Sequence, residues 1–435
     1  MAGLIMTSQL LLGLSLLVFI HEMGHYLAAR AFGIRVTKFY LFFDAWGFKL
    51  FSFKRGDTEF GIGWLPLGGY CQIAGMIDET QDESGLASEP QPWEYRSKPA
   101  WQRLIVLFGG IFLNLVTGVL ILSALLLGRG FLSNEEVSRH GIAPSSVAQE
   151  IGFQRGDRIL TVDGRRVLRF EDVASNPNVL FGAEVTVLRG NDVVTITVPR
   201  DTHRRVMDAG VQFLGVDNPV IVDRPQEGSI AEQIGILPND RILKINNDTI
   251  HSFAMLQSVL GSHRNSEVEV VVARNSETIL LNANLDETGR LGIHVLPLPL
   301  EMTRYTPLTA LKFGTKDAVG MIVANARGLG QVVSGRERAT ESLQGPIGIA
   351  RIYGATWDWV HFWLVTGILS LILAFMNFLP IPALDGGHIM FTLWEIITRR
   401  KPSDKFLMAT QQIGMVLLLA LMVFVFGNDL LRLFR

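Results

Sequence analysis

Four stretches of this sequence are apolar enough, and long enough, to leave few options for folding. Leu4 to about Ala29, Leu104–Gly128, Phe362–Leu384 and Phe406–Gly427 each have the roughly 20 mostly apolar residues that a helix needs to cross a bilayer. The second and third carry no charged side chain. In lipid every backbone N–H and C=O must be satisfied within the segment, so such runs are helices. Charged residues make up 18 % of the 435, against about a quarter in soluble domains. The net charge of −2 provides no field that would draw in nucleic acid. A single cysteine, Cys71, excludes an intramolecular disulfide framework and a Cys-rich zinc site; it reads as a packed side chain. The first run lacks the basic start and the small-residue cleavage site of a signal peptide, so a retained helix is expected.

Basic residues crowd the loops that face the cytoplasm. The segment between the first two runs holds Arg35, Lys38, Lys49, Lys54, Arg55, Arg96, Lys98 and Arg103, and the short loop between the last two holds Arg399, Arg400, Lys401 and Lys405. This puts the N-terminus and the long 130–355 segment outside and the two basic loops inside.

Near the end of the first run stands His21-Glu22-Met23-Gly24-His25, the H-E-x-x-H pattern of zinc hydrolases. Residues four apart share a helix face, so His21 and His25 can hold one metal while Glu22 acts as general base toward a water molecule. The bland alternative is a pair of interfacial histidines with a snorkelling glutamate. It fits less well, because ionisable groups inside a span are costly and usually functional.

A zinc site needs a third protein ligand and an open fourth position. In the orientation above, His21 lies about 25 Å along the first helix, near the cytoplasmic face of a core about 30 Å thick. The third run enters from the same side and ends Asn377-Phe-Leu-Pro380-Ile-Pro382-Ala-Leu384-Asp385-Gly386-Gly387-His388. The two prolines break the helix and leave Asp385 at a similar depth, so Asp385 is the expected third ligand. His388 is the competing candidate.

The outer segment contains a repeat. Residues 146–164 and 229–247 share eight of nineteen positions, and at the same spacing Glu184-Val-Thr-Val187 matches Glu267-Val-Glu-Val270. Repetition of one short helix plus strands indicates two tandem small domains. The S-x-A-x-x-x-G helix end and the D-R-I-L strand of both copies resemble PDZ domains, which bind extended peptide at a sheet edge. The resemblance implies peptide C-termini as ligands, with plain spacers as the alternative. Asn239 stands where the first copy has Gly156, so the two grooves need not behave alike.

Phe48–Phe51 and Glu59–Trp64 read as strands around an Arg55-Gly56-Asp57-Thr58 turn. Backbone of this kind is tolerated at membrane depth only where protein or water covers it. A re-entrant hairpin (about 39–75) would satisfy that limit, its edge holding an unwound substrate and Gly61 and Gly63 allowing close backbone approach. The alternative is a hairpin on the cytoplasmic surface. Asn377 is a candidate for hydrogen bonding to substrate backbone, or for gluing helices together. Asn114 reads as glue. Residues 306–330 read as an amphipathic helix at the outer interface.

With HEMGH on the first run and N-x-x-P-x-P-x-L-D-G on the third, the chain resembles the site-2 protease family, and within it the regulator of sigma-E protease group. The resemblance implies an intramembrane zinc metalloprotease with one Zn2+ per chain, held by His21, His25 and Asp385, and Glu22 as catalytic base. It also implies single-pass membrane substrates of the anti-sigma-factor type, already cut on their outer side, in a bacterial inner membrane whose lipid surrounds the enzyme. The PDZ pair would be periplasmic and act as a size filter, with the active site toward the cytoplasm. Some relatives carry a second asparagine where this chain has Ile372, leaving Asn377 for the substrate.

The expected architecture is therefore a polytopic α-helical membrane protein with four transmembrane helices and a re-entrant β-hairpin, and two tandem α+β PDZ-like domains between spans two and three. The expected divisions are 1–130, 131–219, 220–300 and 301–435. A PDZ-bearing membrane adaptor and a metal transporter are the competing readings. Against them stand the retained Glu22 and the lack of further ligands along a path across the bilayer.

Overall fold

The computed structural model describes residues 2–66, 68–76, 89–275, 277–296, 300–335 and 345–433. Its contacts divide it into two compact units, Met1–Gly128 with Thr306–Arg435, and Arg129–Tyr305.

The first unit contains, in chain order, α1 (Ala2–Ala31), β1 (Val36–Leu41), β2 (Lys49–Arg55), β3 (Thr58–Gly63), β4 (Tyr70–Ile73), α2 (Ala100–Leu127), α3 (Pro307–Val333), α4 (Pro346–Tyr353), α5 (Trp359–Phe378), α6 (Asp385–Thr398) and α7 (Asp404–Leu433). Among the described residues four helices are long and apolar enough to cross a membrane: Ala2–Ala31, Ala100–Leu127, Trp359–Phe378 and Lys405–Leu431. At about 1.5 Å per residue, α1 is about 45 Å long. α5 stops at Phe378, short of the expected Leu384, because Pro380 and Pro382 cannot continue a helix. The chain then turns and restarts at Asp385.

α2 is the hub, packing against α1, α3, α5 and α6. Lipid gives no hydrophobic drive between helices, so small residues that admit close backbone approach decide where they meet. A Cβ on Gly24 would lie 2.2 Å from the Gly109 carbonyl oxygen, and one on Gly118 2.6 Å from Leu371 of α5. α3 covers the helix expected at 306–330. It seats Gly314 on Ser123 of α2 and buries Ala318 with Leu122 and Leu371. α7 is mostly exposed along its length. Gly414 packs on the Pro382 carbonyl, and buried Asp429 accepts hydrogen bonds from the amides of Gly345, Ile347 and Gly348 at 3.0–3.1 Å. That carboxylate caps α4, where unpaired N–H groups and the helix dipole favour an anion.

The expected hairpin is β2–β3, but it belongs to a four-stranded sheet of order β2-β3-β1-β4. β1 runs parallel to β3 and antiparallel to β4. β2 is therefore an edge strand and β3 an inner one. Phe48, Leu50, Phe51 and Phe53, on or beside that edge, are all more than half exposed. An apolar open edge of this kind is a pairing surface unless lipid or a partner covers it.

The second unit holds two hydrophobic cores, one around Phe153, Val185 and Leu214 and one around Ile242, Val270 and Leu291. The repeat recurs in three dimensions. Helices Ser146–Ile151 and Ile230–Gln233 precede strands Arg158–Val162 and Arg241–Ile245. In each copy a buried aspartate, Asp157 or Asp240, is held by an arginine, Arg189 at 2.8 Å or Arg274 at 2.7 Å. The same arginine also donates to the carbonyl of the glycine that ends the helix, Gly152 or Gly235. Gly156 (φ 82°) and Asn239 (φ 67°) are both left-handed, which explains why asparagine can replace glycine at that turn. The copies differ elsewhere. The helix Phe253–Ser262 corresponds to two short pieces, Glu171–Ala174 and Pro177–Leu180, interrupted before Pro177.

Candidate metal centre

α1 carries two functional faces. Phe19 and Tyr26 pack edge-on against Phe39 of β1, with centroids 5.7 Å apart in each case, and Tyr26 packs 5.6 Å from Phe60 of β3. Residues three and four apart share a helix face, so Glu22, between Phe19 and Tyr26, lies on the same side, facing the sheet. The turn into β4 closes over it: a side chain on Gly69 would come 2.7 Å from Val18 and 3.6 Å from Glu22 Cγ. His21 and His25 face α2.

The imidazoles are fixed from α2. His25 Nδ1 lies 2.8 Å from the Val106 carbonyl and His21 Nδ1 lies 3.3 Å from Asn114 Nδ2. The two Nε2 atoms are 3.2 Å apart, and Asp385 Oδ2 lies 3.2 Å from that of His21 and 3.4 Å from that of His25. Among the described residues these three form the one group of acids, histidines or cysteines positioned to share a metal ion, with ligand atoms within 4.8 Å of one another. Despite those distances, Asp385 Oδ2 is buried and makes no hydrogen bond to a described residue. The two Nε2 atoms lie within hydrogen-bond distance of each other and the carboxylate oxygen lies beside both, so two nitrogens and an oxygen converge on one space, and this donor set suits zinc. Gly110 keeps that space open, since a Cβ there would lie 2.4 Å from His25 Nε2 and 2.7 Å from His21 Cε1.

The other expected site residues fall around this centre. Asp385 begins α6, and the close packing of Gly386 on the Leu379 carbonyl makes the turn that delivers it. Asn377 is half-buried in the last turn of α5, and its amide makes no hydrogen bond to a described residue. His388 stands outside the cluster and lines a cavity of about 70 Å3 with Tyr95, Arg103 and Glu395. Gly61 and Gly63 lie on the inner strand β3. The room they leave is taken within the sheet, by the Tyr40 ring and the Phe43 backbone, and the open edge is β2. Tyr40 and Lys49 both donate to Glu59 Oε1, each at 2.7 Å, knotting β1, β2 and β3 together. Hydrogen bonds from Lys49 and then Tyr40 hold Glu59 at about 2, while burial and the bond to Glu59 push Tyr40 up to about 12. The knot therefore stays ionised at Glu59 throughout the neutral range.

Residues 9–421 match the model of peptidase family M50. The chain belongs to this family. Similar proteins match along nearly their whole length. A putative zinc metalloprotease of Xylella fastidiosa is 28 % identical, covering 97 % of this chain and 98 % of its own. The metalloprotease MmpA of Caulobacter vibrioides is 28 % identical over 99 % and 96 %, and the regulator of sigma E protease of Haemophilus influenzae 26 % over 97 % and 98 %. This M50 chain is thus a zinc metalloprotease, and its four apolar helices make it an integral membrane protein. Asn114, expected to join helices, meets the imidazole of His21. In the sequence it is a polar residue four positions after a Gly109-Gly110 pair in an uncharged span, a signal that does not disclose which side chain it meets.

Proposed function

We propose that the protein is an intramembrane endopeptidase that cuts single-pass membrane proteins within or beside their transmembrane helix, with a pre-cleaved anti-sigma factor as the substrate type. The observation that carries this reading is the convergence of His21, His25 and Asp385 at the end of an apolar helix, beside a sheet with an apolar open edge.

His21, His25 and Asp385 would hold the zinc. When bound, it supplies Lewis acidity to a peptide carbonyl and to water. Glu22 accepts the proton of the attacking water and passes it to the leaving nitrogen as the C–N bond breaks. A transmembrane helix hides its peptide bonds in internal hydrogen bonds, so the substrate must first be unwound. The edge of β2 offers backbone partners for the freed strand, with Gly61 and Gly63 letting the sheet pack tightly behind it. Asn377, whose amide has no described partner, hydrogen-bonds the same segment.

The two repeat copies are PDZ-like modules on the periplasmic side of the bacterial inner membrane, with the active site toward the cytoplasm. The basic loops support that orientation. Strands Leu214–Val216 and Ile293–Val295 each pair on one side only among the described residues, which leaves an edge for a peptide C-terminus in each module. Glu22→Gln should retain zinc and abolish cleavage of a reconstituted single-pass substrate. Cleavage at the wild-type rate would end this reading.

A further inference from the structure

We infer that Asn114 is the positioning residue that sets the tautomer of His21 and so makes it a metal ligand. This rests on the reading of His21 as a ligand given above.

A metal-ligating imidazole offers one bare nitrogen and carries its proton on the other, and the hydrogen-bond partner of that second nitrogen decides which is which. For His25 the partner is main chain. The Val106 carbonyl, 2.8 Å from Nδ1, can only accept, so Nδ1 carries the proton and Nε2 is bare. Among the described residues no such carbonyl meets His21. Its Nδ1 meets the side chain of Asn114, with the amide nitrogen at 3.3 Å. With Nδ2 facing the ring, the N–H donates to a bare Nδ1, the proton sits on Nε2, and Nε2 cannot bind a cation. With Nε2 bare and aimed at the space shared with His25 and Asp385, Nδ1–H and the amide N–H would be two donors face to face.

One rotation removes the conflict. The ends of a carboxamide have the same shape, and the surrounding network decides which faces a neighbour. Asn114 Oδ1 is buried and makes no hydrogen bond to a described residue. Turned toward the ring, it accepts from Nδ1–H and leaves Nε2 free for metal. Asn114 is fully buried, and its own carbonyl accepts from Ser370 Oγ of α5 at 2.7 Å. That bond fixes the main chain of Asn114, leaving the side-chain amide to serve His21. One ligand is thus oriented by a backbone group that no substitution can remove, and the other by a side chain that can be replaced.

The test is metal affinity of the purified full chain in detergent, by Co2+ titration against a chelator, for wild type, Asn114→Leu, Asn114→Asp and His21→Ala. Loss of such a partner typically weakens metal binding about 10–100-fold, and that is expected for Asn114→Leu. Asn114→Asp, which can only accept while ionised, should bind within about threefold of wild type. Thermal unfolding of the metal-free variants separates folding from positioning. If Asn114 only joins helices, both substitutions lower the unfolding temperature alike, and Asn114→Asp, burying a carboxylate, rescues nothing. Equal affinity in wild type and Asn114→Leu overturns the inference alone. Equal affinity in wild type and His21→Ala overturns the ligand assignment on which it rests.

Discussion

Gly110 tests whether the three donors share one ion. In Gly110→Ala the new Cβ would sit 2.4 Å from His25 Nε2 and 2.7 Å from His21 Cε1. Carbon contacts relax at about 3.5 Å, so the rings must retreat by about 1 Å. The nearest obstacles are side chains, and rotation about their torsions keeps the stability cost to about 1–3 kcal/mol. The geometric cost is larger, because a shift of about 1 Å in a reacting group can lower the rate about 100-fold. Gly24→Ala is the contrast: its Cβ meets the backbone of Gly109 and Gly110 at 2.2–2.7 Å, so there the helices themselves must part. Zinc content after dialysis, unfolding temperature and cleavage of a membrane substrate should be measured for both. Gly110→Ala should remain folded while losing zinc or at least about tenfold in cleavage, and Gly24→Ala should lose stability as well. A Gly110→Ala protein with wild-type zinc and cleavage would refute the assignment of that space to the metal.

Two further outcomes follow from the rest of the fold. Asp429→Ala removes the acceptor for three amides at the start of α4 and should cost about 2 kcal/mol, read as a lower unfolding temperature in detergent; an unchanged temperature would remove Asp429 from the cap. Burial alone would raise the Asp240 carboxyl, but hydrogen bonds from Arg274 and the Leu237 amide outweigh it and hold the group below its usual range. A carboxyl lowered on folding adds stability above its unfolded value of about 3.9 and loses it as pH falls through the lower folded value. Asp240→Asn should therefore destabilise the Arg129–Tyr305 unit by about 1–3 kcal/mol at pH 7, with a gap that narrows by pH 3; a gap independent of pH would refute the ion-pair account.

Much of the centre was legible because its signals are local or metric. The four-residue spacing of His21 and His25 fixes a shared face, and helix rise fixes the depth at which Asp385 had to be sought. The repeat was legible because its turn and strand residues recur at a constant offset. Features that depend on distant pairing were hidden. β1 and β4 are only six and four residues long, and β1 meets β3 in a parallel pairing that no hairpin signal announces, so a sheet looked like a hairpin. The eight residues of α4, set between glycines, are too few for a helical period to stand out. Asn114 was visible as a polar residue in lipid, but its neighbour was decided by the rotation of α2 about α1. That rotation is set by Gly24 and Gly109, which have no hydrophobic signature at all.

The Gly24–Gly109 contact has a mechanical consequence. The spacing between the helix that bears both histidines and the helix that orients them is set by main chain touching main chain. A seam of that kind contains no side-chain torsion that could rotate to relieve pressure from lipid or an arriving substrate, and the helical hydrogen bonds hold its backbone. Yielding is left to parts outside that seam, such as the exposed edge of β2. The enzyme is built as a stiff anvil with pliable surroundings, and the middle of H-E-M-G-H forms part of the anvil as much as of the chemistry.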